Sequence, residues 1–442
     1  MKRLSFLLAL VLGSGCAWAQ ESDTVTLEEA VRIALSRYPD VGKAKDAADV
    51  LKGKVREVRA QALPQVTISG AASRMRDPSF LNSSSLDKFP KELLDAMDPV
   101  GSNIFMYSVG VTQPLYTAGR IGTALKLASV EAEGSLADID RAEQDVALEV
   151  VKAYYGLMWA EKYRENVLET QEQRRKHADM AKALYDNGVA TEVDLLRSQV
   201  AVANGLPEVV RADNGVRQAR ALLNYYLVRP TGAPTKVTGT FREEDWSDLN
   251  LEDLTTEAVR NRPELARLRI AEKSAETMLQ LARAENRFRA DFNSEYGIMS
   301  RLPKNLFDSK FVRWSFGATF TLPVFDGFKR SGMVEQAVAN QHAARLEREK
   351  VEQQVRLAIQ QDIDALNAAR ETINAARANI VQAERVLEMT QSNYRHGAAT
   401  TLDVVDAQTA LSLARTNLLS GLHDYAVARA NLRWAIGRTP WE

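Results

Sequence analysis

Residues able to carry covalent chemistry are scarce in this 442-residue chain. It holds one cysteine, Cys16, and four histidines. A single cysteine cannot form a disulfide within the chain, so the sequence has no disulfide framework. The sequence also lacks a glycine-rich phosphate-binding loop and any recognisable catalytic constellation. These absences argue against an enzyme, a cofactor-binding protein and a disulfide-rich secreted domain.

Charge of one sign and long apolar runs are also missing. The formal net charge is −1, with charged residues at 26%, so there is no basic field for a nucleic acid. After the N-terminal segment, no run approaches the roughly 18 apolar residues that a transmembrane helix needs. Residence in a membrane would therefore have to come from β-strands.

The N-terminal segment has the features of a secretory signal. Lys2 and Arg3 precede an apolar run at 4–12, and Ala17 and Ala19 form a small-x-small cleavage site. We predict a signal peptide at residues 1–19, which would remove Cys16. A lipoprotein with Cys16 as its acylated first residue stays open as an alternative, although Gly13 stands where lipoprotein signals usually carry leucine.

One motif occurs twice. Residues 185–194 and 394–403 both read Tyr-x-x-Gly-x-Ala-Thr-x-x-Asp, a shift of 209 residues that also carries Pro114 onto Pro323. Nearer the start of each half the shift is 224, from Pro39 to Pro263. A unit of this size is too long for a solenoid repeat. We predict two structural repeats, 20–232 and 257–442, joined by a linker at 233–256.

Each repeat has two candidate strands, at 64–74, 104–113, 290–301 and 312–322. In the last, apolar and polar residues alternate over eleven positions, as in a half-exposed strand. Each strand has about the 9–11 residues that cross a bilayer. A sheet over a soluble core would be the simpler explanation for one strand alone. Four strands cannot close a barrel, and open edges are not tolerated in lipid, so three chains would supply twelve strands.

Long helices dominate the rest of the sequence and make the predicted fold class α+β, mostly α. Residues 120–187 and 329–396 contain no proline. Apolar residues in the second stretch are spaced by three, four or seven, which is typical of a coiled-coil seam. The seam residues are Val355, Ile359, Ile363, Leu366, Ile373, Ala376, Ile380, Ala383 and Leu387. A cytoplasmic rod or a membrane-bending bundle would explain neither the signal peptide nor the strands.

The duplicated halves, the strand-to-helix joints at 113–120 and 322–329 and the paired motifs resemble the TolC-type outer membrane efflux proteins. The resemblance covers the whole mature chain. It implies a homotrimer in which a 12-stranded outer-membrane β-barrel continues into a long periplasmic α-helical coiled-coil tunnel. It also implies a passive exit duct for efflux or type I secretion, joined to a periplasmic adaptor and an inner-membrane pump. The alternative from another class is a non-pore periplasmic coiled-coil structural protein.

The repeated Thr-x-x-Asp units fit a helix cap followed by an acid. Capping does not explain Asp406, which stands where the first repeat has Arg197. The resemblance implies that Asp403 and Asp406 form an acidic ring at the periplasmic entrance. It also implies that Tyr394 and Asp194 latch the closed entrance. The family's latch arginine falls at Ala399, so Arg197 or Arg395 would have to replace it.

Proline marks both joints between strand and helix. Pro114 and Pro323 have no amide hydrogen and a fixed φ, so we expect them in the first turn of the following helix. The strand before Pro114 is expected to be about two residues shorter than the strand before Pro323.

Overall fold

The computed structural model describes residues 24–76, 90, 92, 101–241, 243 and 249–441. The predicted signal peptide with Cys16, and most of the long loop predicted after the first strand, lie outside the described residues. The helices are α1 (Leu27–Arg37), α2 (Pro39–Ala60), α3 (Arg120–Asp186), α4 (Glu192–Tyr226), α5 (Leu251–Asn261), α6 (Pro263–Ala284), α7 (Lys329–Arg395) and α8 (Thr401–Ala435). The strands are β1 (Thr24–Val25), β2 (Gln65–Arg76), β3 (Gly101–Tyr116), β4 (Lys236–Val237), β5 (Arg289–Ser300) and β6 (Val312–Thr321).

Helix lengths match pairwise along the chain. α3 and α7 each have 67 residues, and α4 and α8 each have 35. α1 and α5 have 11 each, and α2 and α6 have 22 each. Such matched lengths are what a duplicated chain gives. The repeat boundaries at 232 and 257 stay a prediction.

Contacts divide the chain into two units. Among the described residues, the helical unit comprises 24–39, 143–241, 243, 249–250 and 359–441, and the strand unit comprises 40–76, 90, 92, 101–142 and 251–358. Each unit takes segments from both predicted repeats. The two repeats are therefore not two separately packed bodies.

The strand unit contains an antiparallel sheet with the order β2-β3-β5-β6. All four predicted strands are confirmed. The expected short strand before Pro114 is wrong, because β3 has 16 residues and β6 has 10. β3 pairs with β2 from Gly101 to Thr112 and with β5 from Phe105 to Tyr116, and the pairing with β5 extends the strand past Pro114.

Register gives the sheet two chemically different faces. Trp314 and Phe316 lie opposite Tyr296 and Ser294, and because side chains alternate along a strand they share one face. Trp314 is 66% exposed and Phe316 is 70% exposed. On the other face Arg313 bonds Glu295 at 2.7 Å. In the described chain, one face of the sheet is apolar, aromatic and exposed, and the opposite face is polar.

Neither proline occupies a first helical turn, so that prediction is wrong. Pro114 lies within β3, opposite Asp291, where the register shifts, and bulges tolerate proline. Pro323 follows the end of β6, six residues before α7 begins. Left-handed residues make the reversal instead: Ala118 and Gly119 have φ of 51° and 84°, and their repeat equivalents Gly327 and Phe328 have 64° and 68°. The joint is thus built from the same backbone in both repeats.

The predicted seam of α7 is confirmed. All of its residues are buried except Ile380, which is partly buried and packs against the same cluster. Ala383 and Leu387 of this seam contact Ala407, Leu411 and Ala414 of α8. Among the described residues, no helix combines the length and the apolar character that a membrane-crossing helix needs.

Candidate functional site

Two helix–turn–helix connections in the helical unit contain the repeated motif. The first turn (residues 185–194) joins α3 to α4, and the second turn (residues 394–403) joins α7 to α8. Gly188 and Gly397 have φ of 72° and 74°, which favours glycine. The N–H of Val189 donates to the C=O of Leu184 at 2.8 Å. The N–H of Gly188 donates to the C=O of Tyr185 at 2.8 Å. This is a Schellman helix end, so Tyr-x-x-Gly encodes a backbone stop.

The Thr-x-x-Asp units start the next helices, as predicted. Thr191 Oγ1 accepts from the N–H of Asp194 at 3.2 Å. The second turn has the complete capping box, because Asp403 also accepts from the N–H of Thr400 at 2.8 Å. Hydrogen bonds from the Thr400 backbone and hydroxyl hold the pKa of Asp403 below its usual value. The motif aspartates are therefore structural at the level of the single chain.

Tyr394 is fixed by packing against both repeats. It is 6% exposed and contacts Ala181 of α3 and Val404 of α8. The Thr401 hydroxyl donates to the Tyr394 hydroxyl oxygen at 3.2 Å. The ring of His177, also on α3, lies 4.8 Å from the Tyr394 ring between centroids. Tyr394 thus ties α7 and α8 of the second repeat to α3 of the first.

Asp194 reaches the same place from the first turn. Hydrogen bonds from Thr191 and then from Thr401 hold its pKa below the usual value, against a smaller desolvation effect. Thr401 is 0% exposed. The predicted partners Tyr394 and Asp194 are therefore connected through Thr401, which contacts both of them.

Sequence reasoning missed Thr401 and His177. Thr401 matches Glu192 in the other repeat, and His177 matches Val386. His177 is 5% exposed, and burial lowers its pKa while the Asp194 charge opposes that shift. A comparison of the two repeats at every position would have identified both residues as candidates, because at each of these positions the two repeats carry side chains of different chemistry.

The predicted ring residues do not meet within one chain. Asp403 and Asp406 are exposed on one face of α8, and the described residues contain no group of three or more His, Cys, Asp or Glu that could hold a metal. Arg197 is exposed on α4 beside Leu402 and Val405, in a groove of about 470 Å³. Neither Arg197 nor Arg395 forms an ion pair with another residue that the structure describes. Their latch role stays a prediction.

Comparison with known proteins relates this geometry to an existing group. The family model described as "Outer membrane efflux protein" matches residues 30–227 and 254–438. Nodulation protein T of Rhizobium leguminosarum bv. trifolii is 24% identical over 95% of this chain and 87% of its own length. Outer membrane protein TolC of Escherichia coli K12 is 23% identical over 99% of this chain and 86% of its own.

A solved structure has the same fold. The outer membrane channel CmeC of Campylobacter jejuni superposes with a TM-score of 0.80, over 93% of this chain and 85% of that one, at 16% identity. The family model spans most of the chain and matches both repeats. The chain belongs to the outer membrane efflux protein family.

Proposed function

We propose that three copies of the chain form a passive exit duct, closed by twelve strands in the outer membrane and continued into the periplasm by the helices. The protein is an outer membrane efflux protein of a Gram-negative bacterium. Membership of this family supports export across the outer membrane as the function. The trimer, the closed barrel, and the roles of a periplasmic adaptor and an inner-membrane pump are the proposed part.

The two-faced sheet is the observation that carries this proposal. Its aromatic face is uncovered, and β2 and β6 are its edges. Edge amides have no hydrogen-bond partner in lipid, so an isolated sheet of four strands would be unstable there. Pairing β6 of one copy with β2 of the next satisfies both edges. The polar face, with the Glu295–Arg313 pair, would then line the lumen.

The second turn is the proposed periplasmic gate. Asp403 and Asp406 from three copies would place six carboxylates around a narrow axis, where like charges repel and cations are attracted. Tyr394 and Asp194, held through Thr401, would keep the entrance closed. The hydrogen bonds of Thr401 to Tyr394 and Asp194 support the proposed latch, and the proposed ring depends on the proposed trimer.

Substitution of Phe316 tests the lipid-facing assignment. Phe316→Arg should cost about 2–4 kcal/mol if the side chain meets lipid near mid-depth. We expect fewer heat-modifiable trimers in the outer-membrane fraction. Ser315→Arg on the opposite face is the matched control and should assemble normally. Normal assembly of Phe316→Arg together with failure of Ser315→Arg would show that the faces are reversed.

The non-pore alternative makes a different prediction. A periplasmic coiled-coil structural protein would be recovered in the soluble periplasmic fraction, without trimer bands. Purified protein reconstituted in planar bilayers would then carry no current. Membrane-inserted trimers that conduct would exclude this alternative.

A further inference from the structure

A cavity in the strand unit lies where the sheet meets the long helices. It has a volume of about 310 Å³ and is lined by residues from the ends of β3, α6 and β6 and from the start of β5. Three arginines contribute to its wall: Arg120, Arg287 and Arg289. The carboxylates in the wall are Glu285 and Asp291. This cavity plays no part in the gate.

The residues of β5 and β6 that line the cavity lie on the polar face of the sheet. Arg289 is the first residue of β5 and lies opposite Thr321 of β6, and both line the cavity. Because side chains alternate along a strand, Arg289 shares its face with Asp291 and Glu295. Trp314 and Phe316 lie on the other face. Arg289 therefore lies on the polar face and away from the aromatic one, and Arg120 and Arg287 line the same cavity.

Positive charge exceeds negative charge around the cavity. The joint segments 114–120, 283–291 and 323–330 contain six basic and three acidic side chains. Arg289 pairs with Asp291 at 3.7 Å. Asp326 is engaged elsewhere, since it accepts hydrogen bonds from the Asn286 side chain and from the N–H of Arg330. Arg120 and Arg287 form no ion pair with any other residue that the structure describes.

The first repeat makes the equivalent passage without Arg287 and Arg289. At the repeat shift of 224, Arg287 and Arg289 match Leu63 and Gln65, which make the equivalent passage from α2 into β2. Only the basic residue at the start of the long helix is common to both repeats, as Arg120 and Lys329. The guanidinium groups of Arg287 and Arg289 thus occur only in the passage from α6 into β5, as expected if they serve binding and not the fold.

We propose that this cavity binds an oxyanion of the phosphate class through Arg120 and Arg287, with Arg289 divided between the ligand and Asp291. Guanidinium groups present N–H pairs that match phosphate oxygens bidentately. The location in the lumen rests on the proposed function, since that makes the polar face the inner one. Three copies would then give a basic collar below the strands, opposite in sign to the acidic second turn.

Titration calorimetry of the detergent-solubilised trimer with inorganic tripolyphosphate at low ionic strength tests the site. We expect saturable binding that weakens at least tenfold in the Arg120→Gln/Arg287→Gln double variant. Asp291→Asn should tighten binding severalfold, because it frees Arg289. Arg283→Gln, which removes the same charge from the same segment outside the cavity wall, should bind like the parent. The proposal is overturned if the parent does not bind, or if the double variant binds within twofold of the parent.

Planar bilayers separate this proposal from the proposed function. Tripolyphosphate should reduce the current of the parent channel and should affect the double variant at least tenfold less. Conducting channels that are indifferent to tripolyphosphate would overturn the luminal site while leaving the duct intact. Calorimetric binding without any current would support the site and overturn the duct.

Discussion

Tyr185 and Tyr394 occupy equivalent positions in the first and second turns, yet Tyr185 is 40% exposed and Tyr394 is 6% exposed. Both turns use a left-handed glycine and a threonine cap. Only the second turn buries its tyrosine against the other repeat, beside Thr401 and His177. The shared residues specify the backbone, and the residues that differ specify the contact that we assign to the gate.

Alanine substitutions of the two tyrosines should give the largest difference between the two turns. Tyr394→Ala deletes a buried ring and should cost about 3–5 kcal/mol of helical-unit stability. Tyr185→Ala removes a ring that is exposed in the single chain and that the chain's own packing does not need, so it should change stability by about 0.5 kcal/mol or less. Thermal unfolding followed by circular dichroism at 222 nm measures both. Resting conductance should rise in the Tyr394 variant alone, and equal effects of the two variants would contradict the asymmetry.

Thr401 is the next test, since it contacts both Tyr394 and Asp194. Thr401→Val keeps the shape of the side chain but removes the hydroxyl, and leaving the buried Tyr394 hydroxyl without this partner should cost about 1–3 kcal/mol. Glu192→Gln changes the equivalent exposed position and should cost less. We expect higher resting conductance for Thr401→Val. A closed channel of parental stability would show that Tyr394 and Asp194 are not coupled through Thr401.

Acidification gives the smallest expected effect. Burial lowers the pKa of His177 in the folded chain, so the unfolded chain binds more protons below about pH 6.5. The stability from neutral His177 is complete above that pH and is lost as the pH falls toward the folded pKa. When the pH is lowered from 7.5 to 5.5, the midpoint temperature of thermal unfolding should therefore decrease more in the parent than in His177→Phe.

A second histidine provides the control for this experiment. His396 is exposed, and its Nδ1 lies 2.8 Å from the Ser392 carbonyl oxygen. His396→Phe removes an exposed histidine from the second turn and is the control variant. If His177→Phe kept the pH dependence of the parent, that dependence would come from other groups, and the motif aspartates would be the first to test.

Backbone features could be predicted from the sequence because each depends on one residue type. Gly188 and Gly397 end helices, Thr400 and Asp403 cap one, and the spacing of the seam residues identifies the buried stripe of α7. The same reasoning failed at Pro114. A proline before a helix suggests the first helical turn, but here the pairing of β3 with β5 continues past it.

Side-chain contacts between the repeats could not be predicted in the same way. Nothing in the local sequence shows that Tyr394 is buried and Tyr185 is exposed, because α3 provides the covering surface from more than 200 positions earlier in the chain. The contacts of Thr401 and His177 with Tyr394 likewise depend on packing between helices and cannot be read from the local sequence. The joint arginines were missed because a net charge of −1 over the whole chain conceals a local excess.

Cation block in planar bilayers tests whether three second turns form the entrance of a duct. If Asp403 and Asp406 form an acidic ring, multivalent cations added on the periplasmic side should block the current, since hard cations favour clustered oxygen ligands. The Asp403→Ala/Asp406→Ala double variant should still fold, losing only a cap contribution of about 0.5–2 kcal/mol, and should conduct without block. Block of the double variant at the parental cation concentration would show that Asp403 and Asp406 do not form the cation site at the entrance.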